Sequence, residues 1–469
     1  MNIEQIYTGC LAQGAYYIES NGEVAIIDPL REVQQYIDRA AKDGAKIKYI
    51  FETHFHADFV SGHVTLAEKT GATIIYGPTA APTFAAHIAA DGEIFKLGNI
   101  TFKVLHTPGH TMESTTYLLR DENGTDQAIF SGDTLFLGDV GRPDLAQKAA
   151  SMTQEDLAGL LFDSLREKIM PLADSITVYP AHGAGSACGK NMMKETVDTL
   201  GNQKQMNYAL RADMTKAEFI KEVTDGLMPP PAYFPVNVKL NKEGYSSIDD
   251  VLNQGLTALS PEDFEARANL TDALILDVRH QNDFAEAFIP QSIFVGIDGQ
   301  FAPWVGALVS DVKQPILLVT PEGREEETVT RLARVGFDNT LGYLKGGIEA
   351  WKAAGFEVDH IDGITAPELK DKMSADDVTI VDVRKESEFL SQHLPTAKNV
   401  ALDYINQNMA EFPKDGAFYI HCAGGYRSLI AASILKSRGY HNMIDVKGGF
   451  KAIQEAEIET TAYVCPSTL

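Results

Sequence analysis

The chain has 469 residues, of which 44% are hydrophobic and 9% aromatic, as in ordinary globular proteins. At roughly 150 residues per domain, this length predicts about three domains. The formal charge of −25 argues against nucleic acid or an anionic membrane as a partner, because like charges repel. An anionic substrate would need local positive charge from particular residues or from a metal.

We expect a cytoplasmic protein without a signal peptide or a membrane anchor. The N-terminus lacks a basic patch followed by an apolar stretch. Apolar runs are all shorter than the roughly 20 residues of a membrane span. The four cysteines are too few, in a chain of this length, to form a disulfide framework.

Strand-like runs alternate with loops rich in Gly, Pro and His over roughly the first 200 residues. The runs EVAIID, KIKYIFE, TIIYG, ITFKVLH, TTYLL, AIFSG and ITVYPA predict β-strands, with helical stretches between them. Around residues 228–231 the Met-Pro-Pro-Pro run cannot continue a helix. The segment PPPAYFPVNVKLNKEG therefore predicts a wrapping linker.

Side chains of the kind that bind metals stand at the ends of four strands. Three of them, His54, His56 and Asp58, follow the first of these strands. Each of the other three strands is followed by one such residue, in chain order His110, Asp133 and His182. A buried cluster of His and Asp is costly unless a metal satisfies it. These segments therefore predict a metal centre.

In their order and spacing these segments resemble the metallo-β-lactamase superfamily, over residues 1–245. Two-metal members have a second histidine directly after the aspartate of the loop, where this chain has Phe59. Because phenylalanine cannot ligate, the second metal would lose a nitrogen donor. The resemblance therefore favours one metal, and two His with one carboxylate suit non-heme Fe(II).

A narrower resemblance is to persulfide dioxygenases, carried by the segments THFHAD, TPGHT and GRPD. That family binds one Fe(II) per chain through residues that match His54, His110 and Asp133, and zinc is the alternative metal. The family usually has a histidine that is not a ligand at the position of Phe59. By the same resemblance, three other residues orient the ligands or bound water: His56, Asp58 and His182.

The resemblance implies the oxidation of a persulfide, R–S–SH, by O₂ to sulfite and R–SH. The sequence does not identify the carrier thiol, and glutathione, coenzyme A or another small thiol would fit. Arg142 has a planar fork that suits a substrate carboxylate or phosphate, and a salt bridge is the alternative. Cys188, six residues after His182, could carry sulfur or gate the substrate. A small buried cysteine is the simpler interpretation of Cys188.

An internal repeat occupies the C-terminal half. ALILDVRHQNDFAEAFIPQSIFVGI, starting at Ala273, matches VTIVDVRKESEFLSQHLPTAKNVAL, starting at Val378. Each copy alternates strands with helices, which predicts an α/β unit with a parallel sheet.

In the second copy, Cys422 ends the strand AFYIH and precedes a helix. Backbone N–H groups that curl around a thiolate stabilise it, and Arg427 adds positive charge. With the DVR and KGGF segments, this copy resembles rhodanese sulfurtransferases. The resemblance implies a persulfide on Cys422, its terminal sulfur cradled by the loop residues Ala423, Gly424, Gly425 and Tyr426.

Cysteine phosphatases, whose loop is similar, place the arginine one residue further from the cysteine. Here four residues separate Cys422 from Arg427, which favours sulfur transfer.

The first copy instead contains VTPEGREEE, without a cysteine anywhere in the repeat. It keeps Arg324, but its glutamates would repel an anionic sulfur donor. We expect this copy to be an inactive spacer or docking surface.

We therefore expect an α/β multidomain protein. An αββα sandwich at 1–245 precedes an inactive rhodanese-like domain at 246–360 and an active rhodanese domain at 361–469. The chain resembles bacterial persulfide dioxygenase–sulfurtransferase fusions of sulfide detoxification. Sulfite and thiosulfate are its expected partners, with sulfur moving in either direction, and we expect a homo-oligomer. The alternatives are a glyoxalase-II-like zinc thioester hydrolase with a rhodanese appendage and a non-catalytic sulfur carrier.

Overall fold

The computed structural model describes residues 1–375 and 377–465. It contains two compact units, the first made of Met1–Ile248 and Leu332–Gly336. The second unit is made of Asp249–Arg331 and the described part of Phe337–Leu469. Within the described ranges, no helix combines the length and the apolar character that a membrane crossing requires.

The first unit contains two six-stranded sheets. In their spatial order, the first sheet contains β1 (Asn2–Thr8), β2 (Gln13–Ser20), β3 (Glu23–Ile27), β4 (Lys46–Phe51), β5 (Thr73–Tyr76) and β6 (His87–Ile88). The second contains β7 (Ile94–Leu97), β8 (Ile100–His106), β9 (Thr115–Arg120), β10 (Asp126–Gly132), β11 (Thr177–Pro180) and β12 (Asp198–Thr199). All seven apolar runs that predicted strands lie on strands of these sheets.

The helices of this unit are α1 (Gln34–Lys42), α2 (His63–Thr70), α3 (Gln147–Ala150), α4 (Gln154–Ser164), α5 (Leu200–Met206), α6 (Lys216–Thr224) and α7 (Phe234–Glu243). A π-helical turn, Leu165–Ile169, extends α4, and a 3₁₀ turn occurs at Tyr208–Leu210.

The two sheets pack face to face because their strands are apolar on both faces. Successive strand residues point to opposite sides. On β2, Tyr16 and Ile18 belong to the core between the sheets, whereas Tyr17 belongs to the core that contains α1 and α2. The outer face of the second sheet contacts α4 and α6 through Leu161 and Phe219. This order of layers confirms the predicted αββα sandwich.

The predicted linker is wrong in one respect, because residues 234–243 form the helix α7. Pro235 lies in its first turn, where a missing N–H breaks no helical hydrogen bond. Asn237 and Asn241 are fully buried on one face of this helix. The proline-rich run therefore starts a helix instead of preventing one.

The second unit contains two five-stranded sheets in which all strand pairs are parallel. The first has the order β13-β17-β16-β14-β15, with β13 (Ala258–Leu259), β14 (Leu274–Asp277), β15 (Ile293–Phe294), β16 (Ile316–Val319) and β17 (Thr340–Leu344). The second has the order β18-β22-β21-β19-β20, with β18 (Gly363–Ile364), β19 (Thr379–Asp382), β20 (Ala397–Asn399), β21 (Phe418–His421) and β22 (Met443–Val446). The predicted parallel α/β repeats are confirmed.

The helices of the first repeat are α8 (Ile248–Gly255), α9 (Pro261–Thr271), α10 (Gln281–Glu286), α11 (Phe301–Leu308), α12 (Glu325–Arg334) and α13 (Gly347–Ala353). Those of the second repeat are α14 (Ala366–Ala375), α15 (Glu386–Ser391), α16 (Tyr426–Ser437) and α17 (Gly449–Glu455). The second repeat also has 3₁₀ turns at Leu402–Tyr404 and Met409–Glu411.

The DVR segment has the same geometry in both repeats. Arg279 pairs with Asp277 at 2.6 Å, and Arg384 pairs with Asp382 at 2.6 Å. Each arginine also donates to a backbone carbonyl at the end of the helix that follows. Because all four side chains are buried, the motif is part of the internal framework of each repeat.

Candidate metal centre and sulfur loop

The predicted metal ligands converge at the ends of strands in the first unit. The loop after β4 supplies His54, His56 and Asp58, and the other three residues follow β8, β10 and β11. All six are buried, with exposed fractions of 5% or less. Their nitrogen and oxygen atoms form two adjacent groups of three: His54, His110 and Asp133, then His56, Asp58 and His182.

The first group has the protonation pattern of a metal site. Thr53 Oγ1 donates to Asp28 Oδ2 at 2.9 Å, so it accepts from His54 Nδ1 at 3.0 Å. His110 Nδ1 lies 2.8 Å from the carbonyl of Arg142, which only accepts. Both Nδ1 atoms therefore carry the proton, which leaves both Nε2 lone pairs free to bind a metal.

These Nε2 atoms face a third acceptor. Asp133 Oδ2 lies 3.7 Å from His54 Nε2 and 3.4 Å from His110 Nε2. Within the described residues this oxygen has no hydrogen-bond partner. Three acceptors at such distances repel one another unless a cation lies between them. The residues present therefore fit a metal ion held by two histidines and one carboxylate.

The electrostatics agree with this arrangement. Burial, followed by the neighbouring His56, lowers the pKa of His54 well below its ordinary value. Burial raises the pKa of Asp133, but the nearby histidines lower it more, so the net pKa lies well below the usual range. A neutral imidazole and an ionised carboxylate are the forms that bind metals.

The second group is already partly paired. His182 lies 2.8 Å from Asp133 Oδ1 through Nδ1 and 2.8 Å from Asp58 Oδ2 through Nε2. Burial lowers the pKa of His182, but the two carboxylates raise it more, to well above its ordinary value. His182 therefore connects the two carboxylates. Within the described residues, Asp58 Oδ1 and both ring nitrogens of His56 have no hydrogen-bond partner.

Phe59 closes the side of the pocket next to this second group. It is fully buried, and its ring centre lies 4.4 Å from that of His56 and 6.4 Å from that of His182. An apolar ring in this place supplies no donor atom and keeps water away from the two imidazoles. The second group therefore has one nitrogen donor fewer than a histidine at this position would give it.

Sequence reasoning missed Asn241 of α7, which fixes the metal-binding loop. Its Nδ2 donates to the carbonyls of His56 and Phe59, both at 2.8 Å, and its Oδ1 accepts from Ser61 N at 2.8 Å. Asn241 thus satisfies three buried backbone groups of one loop. No sequence motif indicated this contact, because 185 positions separate Asn241 from His56.

Arg142 and Cys188 lie near the centre. Arg142 donates to Asp144 at 2.7 Å through both Nε and Nη2, and to the carbonyl of Met228 at 2.5 Å. The guanidinium of Arg142 is therefore engaged within the protein, as the salt-bridge alternative expects.

Cys188 Sγ lies within 4.8 Å of ligand atoms of Asp133 and His182. Burial, with the nearby carboxylates, raises the pKa of Cys188 well above its ordinary value.

In the second repeat, the loop after β21 brings one backbone N–H group to Cys422, and the full cradle from Ala423 to Tyr426 stays a prediction. Gly425 N donates to Cys422 Sγ at 3.1 Å, and Gly425 has a φ of +100°, which favours glycine. Arg427 donates to both oxygens of Glu388, at 2.6 and 2.8 Å. Gly449 of the KGGF segment is needed because an added Cβ would lie 2.4 Å from the carbonyl of Cys422.

In the first repeat, the corresponding loop is occupied by a side chain of the same repeat, that of Glu325. Thr320 follows β16 at the position of Cys422. Glu325 Oε1 accepts from Thr320 Oγ1 and from Gly323 N, both at 3.3 Å. Arg324 pairs with Asp298 and Glu327. A carboxylate thus takes the N–H group that would face a sulfur anion, and the inactivity of this repeat stays a prediction.

Comparisons with protein families give the same domain composition. The model of the metallo-beta-lactamase superfamily matches residues 8–182. The model of the rhodanese-like domain matches residues 260–354 and 365–456. The exact domain boundaries at 245 and 360 stay a prediction.

Individual relatives belong to more than one enzyme class. The mitochondrial persulfide dioxygenase ETHE1 of Mus musculus is 27% identical over 221 residues, which cover 47% of this chain and 78% of that protein. The hydroxyacylglutathione hydrolase GloC of Haemophilus influenzae is 29% identical over 213 residues, covering 40% of this chain and 94% of that protein.

A solved structure extends the similarity over more of the chain. The crystal structure of a metallo-beta-lactamase from Staphylococcus aureus is 32% identical, with a TM-score of 0.65. The match covers 73% of this chain and 98% of the other. The chain therefore belongs to the metallo-beta-lactamase superfamily, and it carries two C-terminal rhodanese-like domains.

Proposed function

We propose that the N-terminal domain oxidises a low-molecular-weight thiol persulfide with O₂ at one Fe(II), and that Cys422 transfers sulfane sulfur. The observation that carries the proposal is the group formed by His54, His110 and Asp133. Three ligand atoms of this group face one another: Nε2 of both histidines and Oδ2 of Asp133. His182, in contrast, is already paired with two carboxylates. Two histidines with one carboxylate suit a non-heme Fe(II) with open positions.

The overall reaction is balanced by water. R–S–SH, dioxygen and water give R–SH, sulfite and two protons. A bound Fe(II) would bring dioxygen and the terminal sulfur together and activate them. The protein holds the two imidazoles in their metal-binding tautomers through Thr53 and the carbonyl of Arg142. Phe59 excludes water beside them. Glutathione persulfide and coenzyme A persulfide are the substrates we propose.

Sulfur transfer needs no oxidant. The Cys422 thiolate attacks the sulfane sulfur of thiosulfate, the S–S bond breaks, and sulfite leaves with the electron pair. In the reverse direction the Cys422 persulfide gives its outer sulfur to sulfite, which forms thiosulfate and restores the thiolate. The loop N–H groups, including that of Gly425, hold the sulfur anion. Both directions suit a protein that produces sulfite in its other domain, as in sulfide detoxification.

The test is O₂ uptake by anaerobically purified, iron-loaded protein with glutathione persulfide. We expect O₂ uptake and sulfite release in equal amounts, and loss of both in Asp133→Ala. Cys422→Ser should keep O₂ uptake but lose thiosulfate formation. Protein with one iron per chain that consumes no O₂ with either persulfide would contradict the proposal.

A second candidate is hydrolysis of a glutathione thioester at zinc. The group of His56, Asp58 and His182 favours it, because those residues border the first site and resemble part of a second one. Similarity to GloC agrees with it. Thioester hydrolysis by zinc-loaded protein, without O₂ uptake by iron-loaded protein, would favour this candidate.

A further inference from the structure

The helix that begins at the sulfur loop is enclosed on all sides. Residues 428–435 of α16 are all buried, including Ser428 and Ser433. A helix with no solvent face must contact neighbours all round. Ser433 Oγ accepts from Phe294 N of the first repeat at 3.0 Å, and Lys436 pairs with Asp359 at 2.7 Å. The cysteine-less repeat therefore supplies part of the surroundings of α16.

The contact reaches the sulfur loop itself through Tyr426. Its hydroxyl donates to the carbonyl of Gly296 at 2.7 Å, and its ring meets that of Phe294 edge-on at 5.9 Å. Burial raises the pKa of Tyr426, so its hydroxyl keeps the proton that it donates. Gln281 adds a weaker bond, from its Nε2 to the carbonyl of Gly424 at 3.4 Å.

Two glycines of the first repeat leave room for this ring. An added Cβ on Gly299 would lie 2.3 Å from Cζ of Tyr426, and one on Gly296 would lie 3.1 Å from its Cε2. Alanine at position 299 would therefore displace Tyr426. We call Gly296 and Gly299, with Phe294, the tyrosine seat.

Tyr426 is well placed to transmit such a displacement. It lies between Gly425, whose N–H contacts Cys422 Sγ, and Arg427, whose guanidinium binds Glu388. Because peptide bonds join Tyr426 to both neighbours, a shift that reaches its backbone moves them as well. The tyrosine seat is thus linked to the sulfur atom of Cys422 through Tyr426 and the N–H group of Gly425.

We propose that the cysteine-less repeat acts as a positioning partner of the sulfur loop, by holding Tyr426 in the tyrosine seat. Tyr426 and Gly299 are then positioning residues for sulfur transfer at Cys422. The inference rests on the proposed sulfurtransferase function. It gives the first repeat a role that needs no nucleophile of its own.

The test compares Gly299→Ala and Tyr426→Phe in the full chain, with thiosulfate as donor and cyanide as acceptor. A misplacement of about 1 Å can cost up to a hundredfold in rate, so we expect Gly299→Ala to lower kcat at least about tenfold, with less effect on KM. Tyr426→Phe loses only one hydrogen bond and should lower kcat severalfold. The half-life of the Cys422 persulfide, followed by intact-protein mass spectrometry, should shorten in both.

The matched control is Tyr440→Phe. Tyr440 donates its hydroxyl to the carbonyl of Met409 at 3.1 Å, in the same repeat but away from the loop. It should leave kcat and persulfide half-life unchanged, even where it lowers the unfolding temperature. In a Tyr426→Ala background, Gly299→Ala should have no further effect on kcat, because the clash is gone.

The possible results separate two failures. If the wild type is active, and if Gly299→Ala and Tyr426→Phe both keep its kcat and persulfide half-life, this inference alone is overturned. An equal loss in Tyr440→Phe would also overturn it, since the effect would then be one of general stability. A wild type that accepts no sulfur from thiosulfate would overturn the sulfurtransferase proposal and this inference with it.

Discussion

His56 and Asp28 form a pair at the back of the metal centre, with His56 Nε2 3.1 Å from Asp28 Oδ1. Asp28 directly follows β3, and it also accepts from Thr53 N and Thr53 Oγ1. Neither ring nitrogen of His56 makes a hydrogen bond within the described residues, but the negative carboxylate lies close enough to attract a proton on Nε2. One aspartate thus orients both histidines of the loop.

We predict that Asp28→Asn weakens metal binding. The amide keeps the shape of the carboxylate, but it loses charge and one acceptor, so Thr53 and His56 are no longer both held. Loss of such a supporting group typically lowers metal affinity about 10- to 100-fold. Competition between the protein and a chelator of known affinity measures this change.

Glu52→Gln is the control for this substitution. Glu52 is fully buried, and its Oε2 lies 3.8 Å from His56 Nε2. Burial, with the adjacent Asp28, raises the pKa of Glu52 well above the ordinary value. The raised pKa favours the protonated form of Glu52, which glutamine matches in charge and shape. Equal losses of metal affinity in Glu52→Gln and Asp28→Asn would show that the charge of Asp28 is unimportant.

Phe59→His should create a second metal site. The new imidazole would lie next to His56 and His182, where the second group needs a nitrogen donor. After loading with zinc, we expect the metal content to rise from about one to about two ions per chain, measured by elemental analysis. Iron-loaded protein should keep about one ion per chain, because the persulfide dioxygenases that the chain resembles bind one Fe(II) with a non-ligating histidine at this position. Phe59→Leu, which adds no donor, should stay at the wild-type value. A content unchanged in Phe59→His would mean that another feature blocks the second ion.

The metal centre could be predicted from the sequence because its ligands stand directly at strand ends. Strand ends are visible as apolar runs that stop, and parallel or sandwiched strands bring such ends together. The repeat was visible for a similar reason, since Asp277 and Asp382 lie in matching apolar strands. Both predictions depended only on local pattern.

The residues that support the centre were not predictable in this way. Asp28 pairs with a histidine of the loop after β4, and Asn241 contacts the same loop from a helix that the proline-rich run did not predict. Buried polar groups find partners wherever the chain packs, and no short spacing records that choice. Tyr426 was expected as a loop residue, but its contact with Gly296 depends on how the repeats pack.

We predict that Asn241→Ala destabilises the first unit and its metal site together. The substitution leaves two buried carbonyls and one buried N–H without their partner. At roughly 1–3 kcal/mol for each such group, partly offset by relaxation, we expect a loss of about 3 kcal/mol in the free energy of unfolding. Chemical denaturation of the metal-free protein measures it.

Asn237→Ala is the matched control, one helical turn earlier on α7. Asn237 is also fully buried, but within the described residues neither of its side-chain polar atoms has a hydrogen-bond partner. Its replacement removes buried polar atoms without breaking a bond, so it should cost less than Asn241→Ala. The reverse order would show that α7 fixes the loop by packing and not by hydrogen bonds.

Stability of the second repeat should fall as pH rises, because of Asp445 on β22. Burial raises the pKa of Asp445 to about 7, although Ser428 and Lys447 lower it. Its Oδ1 has no hydrogen-bond partner within the described residues. In the unfolded chain the group ionises near its ordinary pKa of about 3.9. Between these two values the folded state binds the additional proton, so stability declines with pH across that window.

Asp445→Asn should remove this dependence. At about 1.4 kcal/mol for each unit of pKa difference, the variant should gain roughly 3–4 kcal/mol relative to wild type between about pH 4 and pH 8. Chemical denaturation of both proteins across this range measures the difference. Asp415→Asn, on an exposed bend, should leave the pH profile unchanged. Parallel profiles for wild type and Asp445→Asn would mean that Asp445 is ionised in the folded protein, with a partner that compensates its burial.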